Sequence, residues 1–287
     1  MTSAILTAAS EKYKDSLYSL IGSLNCNWID HPKIIVYDLG LSSETISILN
    51  LNGIVVREIP PFCSHWRKHY TWKLWCLHNS DYDLTIWMDA GLCILDSLDD
   101  VIQIIEEQSY FIVPHYQFLD YEATIQACIA CGLNPSFRYG KGTITTAFIG
   151  FKKNSPLTQI IKEAYYISLD EANIKVDNKR QRPEQSLIGL LIYKYIPNPK
   201  LVDGIKFLGW SSPRMVNDQK VWQQRRSILK EDVKIYRKNL GFNGEKHLPK
   251  DPKIDINVLR KLWNKFFTLS KSSVKKFFVN ERIDGIR

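Results

Sequence analysis

Short apolar runs alternate with segments of helical periodicity over the first two thirds of the chain. Continuous apolar runs such as 34–37 and 54–56 predict strands that are covered on both faces, because a strand with one wet face would alternate apolar and polar positions. The order of elements predicts an α/β core with helices on both faces of the sheet. The pattern predicts strands at 4–8, 33–37, 54–59, 84–88, 110–113, 143–151 and 205–208, and helices at 11–24, 43–51, 69–79, 97–108, 156–169 and 183–195.

The composition is that of an ordinary globular protein. The chain has 287 residues, of which 45% are apolar and 24% are charged. It contains no apolar run long enough for a transmembrane helix and does not begin with a secretory signal, so we expect a cytoplasmic protein. The six cysteines are scattered through apolar or mixed surroundings, which favours buried thiols over a disulfide framework.

The net charge of +8 belongs to the C-terminal quarter of the chain. Residues 214–287 hold 19 Lys and Arg against 8 Asp and Glu, whereas residues 1–213 hold 19 against 22. We therefore predict an α/β domain over 1–213 and a basic, partly helical extension over 214–287 that packs on it.

Within this extension, residues 258–278 place apolar side chains at helical spacing between lysines and arginines. Two interpretations stay open. The helix packs on the core with solvated lysines outside, or it docks on an anionic membrane surface, which would place the protein peripherally at the inner membrane face. No RNP, KH or zinc-finger pattern accompanies this charge, so nucleic acid is not an expected partner.

Candidate chemistry lies after the predicted strands, because ligands of open α/β sheets bind outside the carboxyl ends of the strands. Segments 7–10, 37–40 and 88–91 follow three of these strands, and polar residues flank the strand at 143–151. A single acid after a buried strand is more often a turn former or a helix cap than a ligand. Together, however, these segments outline one crevice.

The order of these segments resembles that of nucleotide-sugar glycosyltransferases with the GT-A fold, especially family-8-like enzymes. The resemblance covers about residues 4–210 and rests on collinear motifs. These are Leu6-Thr7-Ala8-Ala9, Ile34-Ile35-Val36-Tyr37-Asp38-Leu39-Gly40, Tyr70-Thr71-Trp72-Lys73-Leu74-Trp75, Ile86-Trp87-Met88-Asp89-Ala90-Gly91, Thr145-Thr146-Ala147-Phe148-Ile149-Gly150-Phe151 and Arg182-Pro183-Glu184-Gln185-Ser186.

The resemblance implies a Rossmann-like mixed sheet flanked by helices. It also implies a hexosyltransferase that moves a sugar from a nucleoside-diphosphate donor to a glycan or lipid-linked acceptor, as in polysaccharide biosynthesis. UDP is the expected nucleotide of the donor. A rival interpretation is a protein of the same shape that has lost catalysis and binds a nucleotide or a partner. A nucleotidyltransferase on a similar fold would need an N-terminal glycine-rich loop, which this sequence lacks.

The family's strongest mark is Asp-x-Asp after the fourth strand, where two carboxylates hold the ribose and a divalent cation on the diphosphate. Here Asp89-Ala90-Gly91 keeps only the first acid. The resemblance implies that Asp89 acts in catalysis and holds Mn²⁺ or Mg²⁺ together with another group such as His247. Alternatively, lysine and arginine meet the diphosphate, or Asp89 is only a turn residue before Gly91.

The same resemblance assigns roles to the remaining residues. Lys73 would lie near the diphosphate, although a solvated lysine on an aromatic helix fits the pattern equally well. Glu184 would bind sugar hydroxyls, or take the acceptor's proton in an inverting enzyme, and Gln185 would lie beside the anomeric carbon. Both also fit the first turn of a helix after Pro183. The other implied substrate-binding residues are Thr7, Ala8, Ala9, Asp38, Thr145, Thr146 and Gly150.

Overall fold

The fold is a six-stranded sheet between two layers of helices, seen in a computed structural model that describes residues 1–176, 181–209 and 218–223. The first half of the chain alternates strands and helices, and a 3-10 turn over Glu11–Tyr13 precedes the first helix. Its elements are β1 (Ser3–Ala9), α1 (Lys14–Asn27), β2 (Lys33–Asp38), α2 (Ser43–Leu51), β3 (Val55–Glu58), α3 (Thr71–His78), β4 (Leu84–Met88), β5 (Leu92–Ile94) and α4 (Asp99–Gln108).

The second half adds two long strands and the helices that cover them, with a 3-10 turn over Pro135–Arg138. Its elements are β6 (Tyr110–Phe118), α5 (Leu119–Glu122), α6 (Ile125–Ala130), β7 (Gly142–Lys152), α7 (Pro156–Ser168), α8 (Glu171–Ile174), α9 (Pro183–Tyr195), α10 (Gly204–Leu208) and β8 (Val221–Gln223).

One predicted element has the wrong type. The apolar run at 205–208 was expected to form a strand, but it forms helix α10. The side chain of Asp203 accepts hydrogen bonds from the backbone N–H groups of Ile205 and Lys206 at 2.9 and 3.1 Å. This cap satisfies two donors that a helix otherwise leaves without partners, and it starts the helix there.

The strand order in the main sheet is β3-β2-β1-β4-β7-β6. Strands β1 to β4 are parallel, whereas β7 runs antiparallel to both β4 and β6. The predicted α/β class with a mixed sheet is therefore confirmed. Because β1 lies between β2 and β4, the connections leave it in opposite directions, which places the topological switch point of the sheet at the carboxyl ends of β1 and β4.

Both faces of this sheet are buried, which explains the continuous apolar runs. Leu6 belongs to the core that α3, α7 and α9 cover, whereas its neighbour Ile5 belongs to the core under α1 and α4. Successive side chains of a strand point to opposite faces, so the central strands are apolar at most positions in order to fill two cores.

Strand β7 carries an irregularity beside the crevice. Ile149 pairs with Ile112 of β6, but the next β6 residue, Val113, pairs with Thr145. Residues 146–148 therefore bulge on the side of β6, while β7 remains paired with β4 through Phe148. A bulge of this kind re-aims backbone and side-chain groups, and here it lies where the predicted Thr145-Thr146 motif occurs.

Two regions of the sequence prediction fall outside this description. Residue His247 and the basic segment 258–278 lie beyond the described residues, as does most of the predicted extension. In the described part of the chain, none of the helices has the length and apolar content that crossing a membrane requires.

Candidate active site

A pocket of about 170 Å³ opens at the carboxyl end of β4, between the bulge of β7 and the first turn of α9. Six residues predicted from the sequence line this pocket. They are Lys73, Asp89, Thr145, Thr146, Glu184 and Gln185. The pocket thus joins side chains from α3, the β4 end, β7 and α9.

The centre of the pocket wall is an ion-paired lysine. The Nζ of Lys73 lies 2.8 Å from Oδ1 of Asp89 and 3.4 Å from Oε1 of Glu184. The Lys73 side chain is only 3% exposed, so its interpretation as a solvated lysine is wrong. Burial lowers the pKa of Lys73, but the two carboxylates outweigh that effect and raise the pKa above 10.5. The ammonium group is therefore charged at physiological pH.

Aromatic rings surround this ammonium group. Its nitrogen lies 5.9 Å from the ring centre of Tyr70, 6.0 Å from that of Trp72 and 5.6 Å from that of Trp87. These distances allow cation–π attraction, which adds to the two ion pairs. The aromatic motif of the sequence thus forms the wall behind Lys73.

Asp89 is both a turn residue and a pocket acid. Its backbone N–H donates to Ala147 O at 2.8 Å, and its carbonyl accepts from Leu92 N at 3.0 Å, which fixes the turn after β4. Its Oδ1 also accepts from Nε1 of Trp87 at 2.8 Å. The Asp89 side chain remains 33% exposed, so a ligand can reach its carboxylate.

Glu184 follows Pro183 in the first turn of α9 and is buried. Its Oε1 accepts a hydrogen bond from Oγ1 of Thr146 at 3.0 Å, in addition to the contact with Lys73. Its Oε2 is buried and has no hydrogen-bond partner among the described residues. Buried carboxylate oxygens normally have partners, so Oε2 is an acceptor that a bound hydroxyl could satisfy.

Gln185 connects the pocket to a second buried acid. Its Oε1 accepts from the backbone N–H of Thr146 at 3.3 Å, and its Nε2 donates to Oε2 of Glu122 at 2.6 Å. The bulge of β7 makes the first bond possible, because the N–H of Thr146 lies where β7 and β6 are out of register. Sequence reasoning missed Glu122, which ends the short helix α5 and has a fully buried side chain.

The backbone enters α3 at the mouth of the pocket in an unusual conformation. His69 and Tyr70, which are not glycines, have φ angles of 54° and 59°. The left-handed region is costly for side chains of this size, and such costs often accompany functional sites. The conformation places the ring of Tyr70, which is 41% exposed, at the rim of the pocket.

The remaining predicted residues lie outside this pocket. Thr7, Ala8 and Ala9 are buried at the end of β1, where Oγ1 of Thr7 has no hydrogen-bond partner among the described residues. Oδ1 of Asp38 holds a turn after β2. Gly150 lies in the middle of the sheet, where an added Cβ would come within 2.5 Å of the Ile105 side chain of α4.

The described residues around Asp89 do not fit a divalent cation. Hard cations take several oxygen ligands, but the position of the family's second acid is Gly91. The part of the chain that the structure describes contains no group of three His, Cys, Asp or Glu side chains able to hold a metal ion. An ammonium group, that of Lys73, stands next to the remaining carboxylate. The predicted second ligand, His247, lies beyond the described residues.

Comparisons with known proteins support a glycosyltransferase fold. No family model matches the chain, and no curated protein matches it in sequence. Among solved structures it is similar to the apo structure of the bifunctional glycosyltransferase WbbM, with 12% identity and a TM-score of 0.52 over 88% of this chain and 45% of that one.

A second solved structure, the glycosyltransferase GlyE of Streptococcus pneumoniae TIGR4, has 13% identity and a TM-score of 0.46 over 71% of this chain and 45% of that one. This chain spans less than half the length of either protein. The likeness to WbbM shows the fold, and the relation to family 8 rests on the sequence motifs alone.

Proposed function

We propose that this chain transfers a hexose from a nucleoside-diphosphate sugar, with UDP as the expected nucleotide, to a glycan or lipid-linked acceptor. The observation that carries the proposal is the buried ammonium group of Lys73, held between Asp89 and Glu184 in the pocket of a glycosyltransferase fold. Negative charge grows on the nucleoside diphosphate as the glycosidic bond breaks. A preorganised cation with little access to water stabilises that charge strongly.

The proposed roles follow from what each group can accept or donate. The exposed part of the Asp89 carboxylate accepts hydrogen bonds from the ribose hydroxyls. The free Oε2 of Glu184 accepts a hydrogen bond from a sugar hydroxyl. The amide oxygen of Gln185 lies beside the anomeric carbon, where positive charge develops in an oxocarbenium-like transition state.

In this proposal Lys73 and Arg182, both of which line the pocket, supply the positive charge at the diphosphate. The described residues do not assemble a cation site, so the proposed countercharge to the diphosphate comes from these two side chains. The prediction that Mn²⁺ or Mg²⁺ binds to Asp89 and His247 stays a prediction, as does contact of the basic segment 258–278 with an anionic membrane. If UDP stabilises the folded protein without any added metal ion, Lys73 and Arg182 are favoured over a metal as the source of this countercharge.

A thermal-shift panel tests the proposal first, because a ligand that binds the folded state raises its melting temperature. UDP, GDP, CDP and their sugars are compared with and without Mn²⁺. We expect UDP or a UDP-sugar to raise the melting temperature without Mn²⁺. An increase that requires Mn²⁺ would assign the countercharge to a metal. No shift with any nucleotide would contradict the proposed donor.

Donor hydrolysis and transfer by an Asp89→Asn variant test the role of the site. We expect the rate to fall by at least about 100-fold, because the amide keeps the turn but loses the charge that holds Lys73 and the ribose. Asp83→Asn is the matched control, since Asp83 lies at the opposite end of β4 and its side chain accepts hydrogen bonds from the backbone N–H and the hydroxyl of Thr2. An Asp89→Asn variant as active as wild type would contradict the assignment.

A second candidate function is nucleotide binding without catalysis, and Gly91 in place of an acid is the observation that favours it. The two functions give different results in the same experiments. A melting-temperature increase with UDP, combined with no donor hydrolysis and no transfer by wild type, would favour this second function.

A further inference from the structure

Behind the pocket, the buried carboxylate of Glu122 contacts the side-chain amide of Gln185. We propose that Glu122 is a positioning residue that keeps the amide oxygen of Gln185, rather than the amide nitrogen, available to the reacting sugar. The catalytic part of this inference rests on the proposed function, whereas the orientation of the amide stands on geometry alone.

The two neighbours of the Gln185 amide differ in kind. On one side, Oε2 of Glu122 accepts from Nε2 at 2.6 Å. On the other side, the backbone N–H of Thr146 donates to Oε1 at 3.3 Å. A carboxylate has only acceptor oxygens and a backbone N–H can only donate, so these neighbours identify the amide's oxygen and nitrogen without ambiguity.

The opposite orientation of the amide would lose both hydrogen bonds. The oxygen of Gln185 would then face the carboxylate of Glu122, and its NH₂ group would face the N–H of Thr146. Gln185 is 8% exposed and Glu122 is 1% exposed, so water has little access to compensate for the two repulsive contacts. The amide therefore has one orientation, and the pair of neighbours sets it.

His115 lies on the far side of Glu122. Its Nδ1 lies 3.1 Å from Oε1 of Glu122 and 3.2 Å from Oγ1 of Thr143. The hydroxyl of Thr143 donates to Gln117 O at 3.1 Å, so it accepts from Nδ1 of His115. Oε1 of Glu122 lies near this ring nitrogen but makes no hydrogen bond among the described residues, so the bond to Gln185 is the hydrogen bond that the Glu122 carboxylate makes there.

The orientation matters for the proposed reaction. Positive charge develops at the anomeric carbon during glycosyl transfer, and a carbonyl oxygen stabilises it, whereas an NH₂ group opposes it. Glu122 has no access to the pocket itself and acts through Gln185. Its loss should therefore reduce the rate of the chemical step and leave nucleotide affinity almost unchanged.

The test uses three variants of the full chain, with UDP affinity from calorimetry and donor hydrolysis measured for each. Glu122→Gln can present an NH₂ group to Gln185 and so permits the opposite orientation. We expect kcat to fall about 10- to 100-fold, with the Kd for UDP within about 2-fold of wild type. Glu163→Gln, the same substitution at a residue that pairs with Lys194 on α9, is the control and should match wild type.

The double variant Glu122→Gln/Gln185→Glu should recover part of kcat. The new amide donates to the new carboxylate, and an oxygen again accepts from the N–H of Thr146. A purely structural role would predict that melting temperature and kcat recover together. We expect the double variant to regain more kcat than its melting temperature explains. A Glu122→Gln variant with wild-type kcat, or a double variant as slow as Glu122→Gln, would overturn the inference.

Nuclear magnetic resonance separates this inference from the proposed function. The side-chain NH₂ of Gln185 should exchange slowly with solvent in wild type and rapidly in Glu122→Gln. Slow exchange in both proteins would show that Glu122 does not hold the amide and would overturn the inference, whatever the enzyme does. If wild type hydrolyses no nucleotide-sugar, the proposed function fails, and the exchange rates alone decide whether Glu122 holds the amide.

Discussion

Acidic residues occur at two places along the carboxyl edge of the same sheet, and their carboxylates have different kinds of partner. Near β1 and β2, Glu11 accepts from the backbone N–H of Ser42 at 2.8 Å. Oδ1 of Asp38 accepts from the N–H groups of Gly40 and Leu41, each at 2.6 Å. These bonds tie loops to the sheet through backbone donors, and Glu11 also pairs with the ammonium of the partly exposed Lys14 at 2.9 Å.

Near β4, by contrast, the acids share one buried side-chain cation. Asp89 and Glu184 share the ammonium group of Lys73, and Oε2 of Glu184 has no hydrogen-bond partner among the described residues. A lysine can move its charge by rotating its side chain, whereas a backbone amide cannot. The comparison shows that an acid at this edge of the sheet builds a turn or holds a loop when backbone donors bind it, and can serve a ligand when its main partner is a buried side-chain cation.

Replacement of Lys73 by methionine should have the largest effect. Asp89 and Glu184 would face each other without a cation, and loss of one partner from a buried pair typically costs about 3–5 kcal/mol of unfolding free energy. We expect UDP binding to disappear and donor hydrolysis to fall more than about 100-fold. Urea unfolding and calorimetry measure the two effects, and Lys73→Arg checks whether charge alone suffices.

The control for that substitution is Lys194→Met. Lys194 pairs with Glu163 at 3.1 Å, but both side chains are partly exposed, so the pair should contribute less than about 1 kcal/mol. Its loss should leave UDP binding intact. If Lys73→Met bound UDP as tightly as wild type, the acids near β4 would not differ in function from the acids near β1 and β2.

Glu11→Gln should have a smaller, pH-dependent effect on stability alone. The N–H of Ser42 and then the ammonium of Lys14 lower the pKa of Glu11 to about 2, below its ordinary value of 4.5. Because the folded-state pKa is the lower one, the stabilisation is complete above pH 4.5 and is lost as the pH falls to about 2.

We therefore expect the melting temperature of Glu11→Gln to be slightly below that of wild type at pH 7, because solvent screens the charge of this exposed group. The difference should vanish as the pH approaches 2, and UDP affinity at pH 7 should not change. Melting curves between pH 2 and pH 7 measure this. A difference that is the same at every pH would show that the Glu11 charge does not hold the loop.

Asp38→Asn should have the smallest effect. The amide oxygen of asparagine can still accept from the N–H groups of Gly40 and Leu41, so stability should change by less than about 0.5 kcal/mol. If Asp38 only holds the turn, UDP affinity should match that of wild type in calorimetry. A 10-fold loss of affinity would instead establish the substrate-binding role predicted from the sequence.

The sequence predicted most elements of the sheet because its strands bury both faces. It could not predict the direction of β7, since an apolar run has the same composition in either direction. The helix at 204–208 was missed for a related reason, although Asp203 before a glycine was a usable helix-start signal. The strands β5 and β8 have only three residues each, too few for a periodic pattern.

The site was predicted where its residues belong to local motifs, as for Asp89 after β4 and Gln185 after Pro183. Glu122 was missed because, in sequence, it is an acid beside a tyrosine in a stretch without clear periodicity. Its burial depends on Gln185, which is 63 positions away. The N–H of Thr146 is likewise available to Gln185 only because of a register shift between β6 and β7, which local sequence does not encode.

The wide separation of the pocket's parts along the chain has a consequence for how the protein folds. Residues 73, 89, 146 and 184 meet only after α3, β4, β7 and α9 have taken their places, and contacts between such distant positions close slowly. No early intermediate with only the parallel strands β1 to β4 would contain the complete pocket. Nucleotide binding would therefore report the completion of folding, and donor added during refolding would stabilise only chains that have docked β7 and α9.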